Sequence, residues 1–253
     1  MPTQIIEANP MRDRTAWETS DFLKVSEFFC DSIQGEGITA GVPAAFLRLQ
    51  GCTLNCSYCD TKYAWHSGGE YSFKELNDLI RKVGLDVKLL NGQHLVITGG
   101  SPLLQQTMLI MFLDEFEDEF RFLPQIEIEN ECTIEPHWRI KDKIAVWNNS
   151  PKLSNSGVDK ALRYFPGILK SMSALHNSWF KFVVSSTKDW NEILEDFLTP
   201  GLIKKGQIIL MPQGATRKEL EKNRELVVDL AVEHNVRYCS REHIILWGNM
   251  KGV

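Results

Sequence analysis

The sequence of 253 residues predicts an α/β fold built on a mainly parallel sheet, in the form of a sheet or partial barrel. Short apolar runs alternate with segments of helical periodicity from Phe28 onward, which is typical of repeated β-α units. Loops rich in Gly, Pro, Asn and Ser follow several of the apolar runs, as expected where strands end. No internal sequence repeat is visible, and we expect one α/β domain.

Six apolar segments are predicted as strands, because each is short and is followed by polar or turn residues. They comprise residues 44–49, 94–98, 125–129, 144–147, 180–184 and 207–211. The first of them (AAFLRL) leads directly into a loop that carries three cysteines. The second (HLVIT) ends in a Gly-Gly-Ser-Pro turn at residues 99–102.

Helical spacing of apolar residues predicts five helices between and after these strands. Residues 71–83 begin with a capping-box pattern, in which Ser72 is followed by Glu75. The other predicted helices span residues 103–120, 158–171, 188–198 and 216–235. This alternation of strands and helices favours a mainly parallel sheet.

Ligands of such folds gather beyond the carboxyl ends of the strands. Four polar loops are predicted at that edge, namely the cysteine loop and residues 99–102, 148–152 and 211–214. We therefore expect these loops to converge on one site.

Composition and charge exclude several classes of protein. A hydrophobic content of 43% with 24% charged residues is that of a globular chain and argues against intrinsic disorder. The formal net charge of -5 argues against a general polyanion-binding surface, so we expect no direct nucleic-acid substrate. Residues 1–21 contain no apolar run. We interpret them as a lead segment, neither signal peptide nor membrane anchor, before a single domain of residues 22–253, and we expect a cytoplasmic protein without membrane association.

Three of the six cysteines, Cys52, Cys56 and Cys59, lie within eight positions and need a separate explanation. Three thiolates on a short loop suit a [4Fe-4S] cluster in which one iron is left open for a ligand. A closed zinc site normally uses four ligands, and His66 or a distant histidine could supply the fourth, so the spacing alone leaves a zinc site as the alternative. The scattered cysteines, which we assign to packing, are Cys30, Cys132 and Cys239.

The C-x3-C-x2-C spacing, with the aromatic Tyr58 before the last cysteine, resembles the signature of the radical S-adenosylmethionine superfamily. Residues 99–102 resemble a second element of that superfamily, a GGEP-like turn, with Ser101 in place of Glu. The resemblance implies an incomplete TIM-like β/α barrel. It also implies that the amino and carboxylate groups of the methionine moiety chelate the open iron.

A more specific resemblance covers nearly the whole chain after the lead segment. Residues 33–37 (IQGEG), Arg48 on the strand before the first cysteine, the Cys-Asp-Thr stretch at residues 59–61 and residues 246–253 (LWGNMKGV) are similar to the 7-carboxy-7-deazaguanine synthase family. The resemblance implies ring contraction of 6-carboxy-5,6,7,8-tetrahydropterin to 7-carboxy-7-deazaguanine with loss of ammonia. Cleavage of S-adenosylmethionine would give a 5'-deoxyadenosyl radical that takes a hydrogen from C6 of the substrate and later returns it.

The resemblance also implies roles for individual residues, with no side chain required as an acid or base. Thr61 would bind Mg2+, a hard cation that prefers oxygen ligands. The residues implied in substrate binding are Ile33, Gln34, Gly35, Glu36, Arg48, Thr98 and Val253, the last through its terminal carboxylate. The residues implied in S-adenosylmethionine binding are Tyr58, Asp60, Gly100, Ser150, Pro151, Lys152, Met211, Pro212, Gln213 and Gly214.

Each of these roles has a structural alternative. Arg48 could be an arginine at the surface or at a sheet edge, although an unpaired charge beside an apolar strand would be costly. Thr98 could serve only as a β-branched strand residue. Residues 148–152 and 211–214 could be plain turns in which Pro and Gly bend the chain.

The family resemblance further implies a homodimer and a one-electron donor of the flavodoxin type. Two other functions remain possible at this point: an activase that makes a glycyl radical on a partner protein, and a zinc-stabilised binding module. The IQGEG stretch, Arg48 and residues 246–253 argue for a small buried pterin rather than a docked protein.

Overall fold

The computed structural model of the chain describes residues 2–6, 21–248 and 250–252. Within these residues, strands join into one sheet with the order β1-β2-β3-β5-β6-β7-β8-β9-β10, and β4 pairs with β2. The strands are β1 (Thr3–Ile6), β2 (Phe22–Ile33), β3 (Pro43–Leu49), β4 (Gly69–Ser72), β5 (His94–Gly99), β6 (Gln125–Asn130), β7 (Val146–Asn149), β8 (Ser178–Val184), β9 (Ile208–Pro212) and β10 (Arg237–Tyr238).

The sheet is parallel from β3 through β10 and open at its ends. On its other side, β2 runs antiparallel to β1, β3 and β4. The predicted α/β fold with a mainly parallel sheet in an incomplete barrel is therefore confirmed. Because crossover helices cover parallel strands, their residues are nearly all buried, as in β9 (IILMP).

Helices connect the parallel strands and cover the sheet. They are α1 (Phe73–Lys82), α2 (Leu85–Leu90), α3 (Gln106–Phe120), α4 (Trp138–Lys141), α5 (Lys160–Arg163), α6 (Pro166–Ser173), α7 (Thr187–Glu192), α8 (Arg217–Glu233) and α9 (Glu242–Trp247). The capping box predicted for α1 is present, since the Ser72 side chain accepts a hydrogen bond from the Glu75 backbone and the Glu75 side chain accepts one from Ser72. In the part of the chain that the structure describes, no helix is long and apolar enough to cross a membrane.

The main hydrophobic core lies between the sheet and these helices. Its largest fully buried side chain is Trp147 on β7, and aromatic residues of α3 and β8 surround the same region. Cys30 and Cys132 belong to this core, while Cys239 is buried in a small separate cluster with Ile209 and Met211. Their assignment to packing is confirmed.

All six predicted strands are present, with ends that shift by one or two residues. The prediction of one helix over residues 158–171 was wrong, because the chain forms two short helices, α5 and α6. Tyr164 is extended between them, and Pro166 occupies the first turn of α6, where its missing N–H needs no partner. Residues 188–198 likewise divide into α7 and a following π-helical turn (Ile193–Leu198).

Candidate active site

A cavity of about 970 Å³ opens at the carboxyl ends of the parallel strands, where the polar loops converge. Nearly all residues that the sequence proposes for the site line it. They are Ile33, Gln34, Gly35, Glu36, Arg48, Cys52, Cys56, Tyr58, Cys59, Asp60, Thr61, Thr98, Gly100, Ser150, Lys152, Met211, Pro212, Gln213 and Gly214. Pro151 is buried and does not line the cavity, and Val253 lies outside the described residues.

The cysteine loop follows β3 and forms one wall of the cavity. Cys52 and Cys59 are half-buried, Cys56 is buried, and all three are free thiols. Burial raises the pKa of the Cys52 and Cys56 thiols, so both are protonated at neutral pH without a metal. Because thiolates are the metal-binding form, loading of iron here must release protons.

The zinc alternative finds little support in this geometry. His66, the fourth ligand considered for zinc, is exposed and does not line the cavity. Within the described residues, no three Cys, His, Asp or Glu side chains converge closely enough to hold a single metal ion. In a [4Fe-4S] cluster the three thiolates bind different irons, so they need not converge on one point.

The Gly-Gly-Ser-Pro turn after β5 lies directly against the cysteine loop. A Cβ atom at Gly100 would lie 2.3 Å from the carbonyl oxygen of Gly51 and 2.5 Å from Cβ of Cys52, so only glycine fits. The Ser101 backbone N–H donates to the same Gly51 carbonyl at 2.9 Å, and its hydroxyl accepts from the Thr53 N–H at 2.9 Å. The backbone of this turn therefore packs tightly against the first cysteine of the loop.

The residues around the cysteine loop can accommodate a cluster with bound S-adenosylmethionine. Three thiols on one loop supply the donors, and Gly100, which packs against Cys52, lines the cavity beside them. Glu131 and Lys152 line the same cavity, so a methionyl group bound to iron through its amino and carboxylate groups would have a hydrogen-bond acceptor and a cation in the same space. The residues present fit the group.

Arg48 projects from β3 into the cavity beside a buried carboxylate. Its Nε donates to Oε1 of Glu27 at 2.6 Å, and the Tyr63 hydroxyl donates to the same oxygen at 2.9 Å. Burial lowers the pKa of Arg48, but the opposing charge of Glu27 outweighs burial and the net shift is upward. Arg48 is therefore a fixed cation, whose Nη atoms have no hydrogen-bond partner within the described chain.

A buried network of charges lies on another wall, around Glu36. Its carboxylate pairs with Lys181 and with Nε of Arg241, the latter at 2.7 Å. Arg241 also pairs with Asp60 and donates to the Gly214 carbonyl at 2.6 Å. Although burial acts to raise the pKa of Glu36, the charges of Lys181 and Arg241 lower it well below its usual value, so Glu36 is ionised. Its charge is balanced before any substrate binds.

Gln34 and Gly35 are also held by protein contacts. The Gln34 amide lies near the buried Glu127, and its oxygen accepts a hydrogen bond from the Glu36 N–H at 3.2 Å. Gly35 packs against His243 of α9, since a Cβ there would lie 2.0 Å from His243 Nδ1. The side chains of Gln34 and Glu36, which the family resemblance implies in pterin recognition, thus have protein partners already.

Three further residues complete the predicted set. Thr98, at the end of β5, donates its hydroxyl to Glu129, which also lines the cavity. The Thr61 hydroxyl lies 3.7 Å from Sγ of Cys59. Burial raises the pKa of Tyr58, which keeps its hydroxyl neutral.

Sequence reasoning missed several charged residues of the cavity. They are Glu27, Glu129, Glu131, Lys181 and Arg241. A signal existed for Glu129 and Glu131, because they lie at the carboxyl end of a predicted strand. None existed for Arg241, which meets Glu36 across 205 positions of sequence.

Comparisons with known proteins place the chain in a family. The sequence profile described as "4Fe-4S single cluster domain" matches residues 33–129. A protein of Pyrobaculum aerophilum named 7-carboxy-7-deazaguanine synthase is 35% identical over 91% of this chain and 97% of its own length. Proteins with the same name from Halobacterium salinarum and Aquifex aeolicus are 31% and 30% identical, over 90% and 89% of this chain and 91% and 94% of their own lengths.

A solved structure gives a likeness of fold. The crystal structure of QueE from Escherichia coli matches with a TM-score of 0.65 and 24% identity, over 88% of this chain and 95% of that one. The glycyl-radical activase and the zinc module are not favoured, because the relatives carry the synthase name across nearly their whole length. The chain belongs to the 7-carboxy-7-deazaguanine synthase family.

Proposed function

We propose that this chain is a 7-carboxy-7-deazaguanine synthase, which contracts the ring of 6-carboxy-5,6,7,8-tetrahydropterin and releases ammonia. The observation that carries the proposal is a single cavity that contains both the three-thiol loop and Arg48. The site for a radical-generating group and the site for an anionic substrate would therefore share one cavity. When bound, the cluster and S-adenosylmethionine supply the one-electron chemistry that removes hydrogen from the substrate.

Arg48 is the proposed partner of the substrate carboxylate. Glu27, which accepts a hydrogen bond from the Tyr63 hydroxyl, fixes the guanidinium through Nε. The two Nη atoms have no hydrogen-bond partner within the described residues and can meet the substrate. Such a contact is charge-assisted and, with a planar guanidinium, can use two parallel hydrogen bonds. The alternative of a surface arginine does not fit a side chain that is 15% exposed and lines the cavity.

The flat ring system of the pterin has an apolar wall to pack against. Phe29 and Phe46 stack with ring centroids 5.0 Å apart, and both line the cavity. Thr98 donates its hydrogen to Glu129, so its oxygen remains able to accept from a pterin N–H. Residues 33–36 line the same cavity and would contact the pterin as well.

The remaining assignments belong to the same proposal. The three thiols of Cys52, Cys56 and Cys59 would ligate the cluster, and the Thr61 hydroxyl would bind Mg2+ together with oxygens of the substrate. Residues 22–253 would act as one domain, in a homodimer that receives its electron from a flavodoxin-type protein.

Conversion of the pterin by the loaded protein tests the proposal. The chain is reconstituted anaerobically with iron and sulfide, reduced, and given S-adenosylmethionine, Mg2+ and the carboxytetrahydropterin, and the product is identified by mass spectrometry. We expect about four irons and four sulfides per chain and formation of the deazaguanine. Cys56→Ala should lose both cluster and product. A fully loaded protein that leaves the pterin unchanged would contradict the proposed function.

A further inference from the structure

Glu127 is a fully buried acidic residue that does not itself line the cavity. It stands in the middle of β6, two residues before Glu129, and side chains two residues apart on a strand point to the same side of the sheet. Glu129 lines the cavity, so Glu127 lies one step deeper on that side. A carboxyl group in such a place is costly unless hydrogen-bond donors surround it, so its partners indicate what it does.

Four side chains contact the carboxyl group of Glu127 within the described part of the chain. The Thr39 hydroxyl and Nδ2 of Asn148 each donate to Oε2 at 2.7 Å, and Nε2 of Gln34 donates to the same oxygen at 3.4 Å. Oε1 contacts Nδ1 of His94. Glu127 therefore joins β5, β7 and the loop between β2 and β3.

That loop, residues 34–42, is closed on itself by backbone hydrogen bonds. The Gln34 N–H donates to the Val42 carbonyl at 2.8 Å, and the Val42 N–H donates to the Thr39 carbonyl at 3.0 Å. Gln34 lines the cavity, whereas Thr39 does not. Because the backbone of the loop connects the two residues, the hydrogen bond between Thr39 and Glu127 also holds Gln34 in place.

The contact with Glu127 further orients the amide of Gln34. A carboxylate only accepts hydrogen bonds, so the NH2 end of the amide turns towards it. The oxygen of the same amide accepts from the Glu36 N–H at 3.2 Å. Both ends of the amide are thus assigned before a substrate binds. An apolar side chain at position 127 would leave the amide free to turn over.

We propose that Glu127 is a positioning residue for substrate binding, which acts through Thr39 and Gln34 to hold residues 34–36 at the cavity wall. The assignment rests on the proposed function in taking these residues as part of the pterin site. It concerns the affinity for the substrate rather than the radical chemistry at the cysteine loop, so it can fail while the proposed reaction stands.

Steady-state kinetics of the reconstituted, cluster-loaded protein test this role. Glu127→Met replaces the carboxyl group with an apolar side chain of similar length, and Thr39→Val removes one hydroxyl donor. We expect the KM for the carboxytetrahydropterin to rise roughly tenfold or more in Glu127→Met and about three- to tenfold in Thr39→Val. The kcat at saturating pterin, the affinity for S-adenosylmethionine and the iron content should stay within about twofold of wild type, because only substrate binding is weakened.

Two further variants show whether the hydrogen bonds of Glu127 cause the change in KM. In Glu127→Gln the amide oxygen can accept from the same donors as Oε2, and its NH2 can donate to Nδ1 of His94. Its KM should therefore return to within about threefold of wild type. In the double variant of Glu127→Met and Thr39→Val, the second substitution should add little to the KM, because the hydrogen bond is already lost.

Asn77→Leu is the control for the loss of a buried polar side chain. Asn77 lies on α1, donates to Glu119 at 2.7 Å and does not line the cavity. This variant should lower thermal stability and leave the KM unchanged. Hydrogen exchange adds a measurement that needs no turnover. The amides of residues 34–42 should exchange at least about threefold faster in Thr39→Val, and those of α1 should not change.

A wild-type KM in Thr39→Val, or unchanged exchange of residues 34–42, would overturn the assignment even if Glu127→Met does not fold. Fully additive effects of the two substitutions would overturn it as well. A loss of kcat or of iron with an unchanged KM would also do so, because Glu127 would then support the iron site or the fold alone. A wild-type protein that holds the cluster and leaves the pterin unchanged would instead contradict the proposed function, and hydrogen exchange would still decide whether Glu127 holds the loop.

Discussion

Replacing Gly100 with alanine tests how the cysteine loop and the turn after β5 share space. The added methyl carbon would lie 2.3 Å from the Gly51 carbonyl oxygen and 2.5 Å from Cβ of Cys52. Since non-bonded carbon atoms rest about 3.5–4.0 Å apart, the neighbouring backbone must move by about 1 Å or more. Overpacking of this kind costs roughly 1–3 kcal/mol, and here the displaced atoms belong to the loop of the first thiol. Gly100→Ala should therefore damage cluster loading more than folding.

Iron and sulfide counts after anaerobic reconstitution measure the effect, and thermal unfolding measures stability. We expect Gly100→Ala to unfold about 2–12 °C below wild type and to hold less cluster or bind S-adenosylmethionine at least about tenfold more weakly. Gly167→Ala, on α6, is the control, because a Cβ there meets nothing within 4 Å. It should load and unfold like wild type. Full loading and wild-type cofactor affinity in Gly100→Ala would refute the argument that only glycine fits.

Three other predictions concern charged residues of the cavity. Arg241→Ala should destabilise the fold by about 3 kcal/mol in urea unfolding, because Asp60 loses its ion-pair partner and the buried Glu36 keeps only Lys181. Arg139→Ala, at a side chain that is 46% exposed, should cost at most about 1 kcal/mol, and equal costs for the two variants would contradict this prediction. Arg48→Ala should abolish turnover and leave the cluster intact, so tight pterin binding by this variant would refute its role. Burial lowers the pKa of His243 below its usual 6.5, so protonation on acidification below pH 6.5 favours the unfolded chain. Below pH 6.5, the melting temperature should fall less steeply with decreasing pH in His243→Gln than in wild type. Identical slopes of melting temperature against pH in the two proteins would contradict this role of His243.

Much of the fold was predictable because its signals are local. Each of the six predicted strands is a short apolar run that ends in a turn, and the Ser72 and Glu75 pair marks the start of α1. The helix over residues 158–171 was mispredicted because the helical spacing of its apolar residues was followed through Pro166. Proline interrupts a helix, and here it starts a new one. β2 was not among the predicted strands, because its pairing with β1, β3 and β4 becomes visible only in the assembled sheet.

The candidate site was likewise predictable only where its signals are local in the sequence. The three thiols and Arg48 could be proposed because motifs mark them, and the structure brings them to one cavity. The ion-pair partners of the site residues could not be predicted, because ion pairs between distant segments leave no spacing pattern in the sequence. Arg241 joins Glu36 and Asp60 across 205 and 181 positions, so only the folded chain reveals that contact.

The ratio of deazaguanine formed to S-adenosylmethionine consumed tests the central claim most directly. If the hydrogen taken from the substrate is returned after ring contraction, the cofactor acts catalytically. The reconstituted protein should then form many molecules of 7-carboxy-7-deazaguanine for each S-adenosylmethionine lost. Stoichiometric loss of the cofactor with the carboxytetrahydropterin untouched would contradict the assignment of this cavity to that reaction.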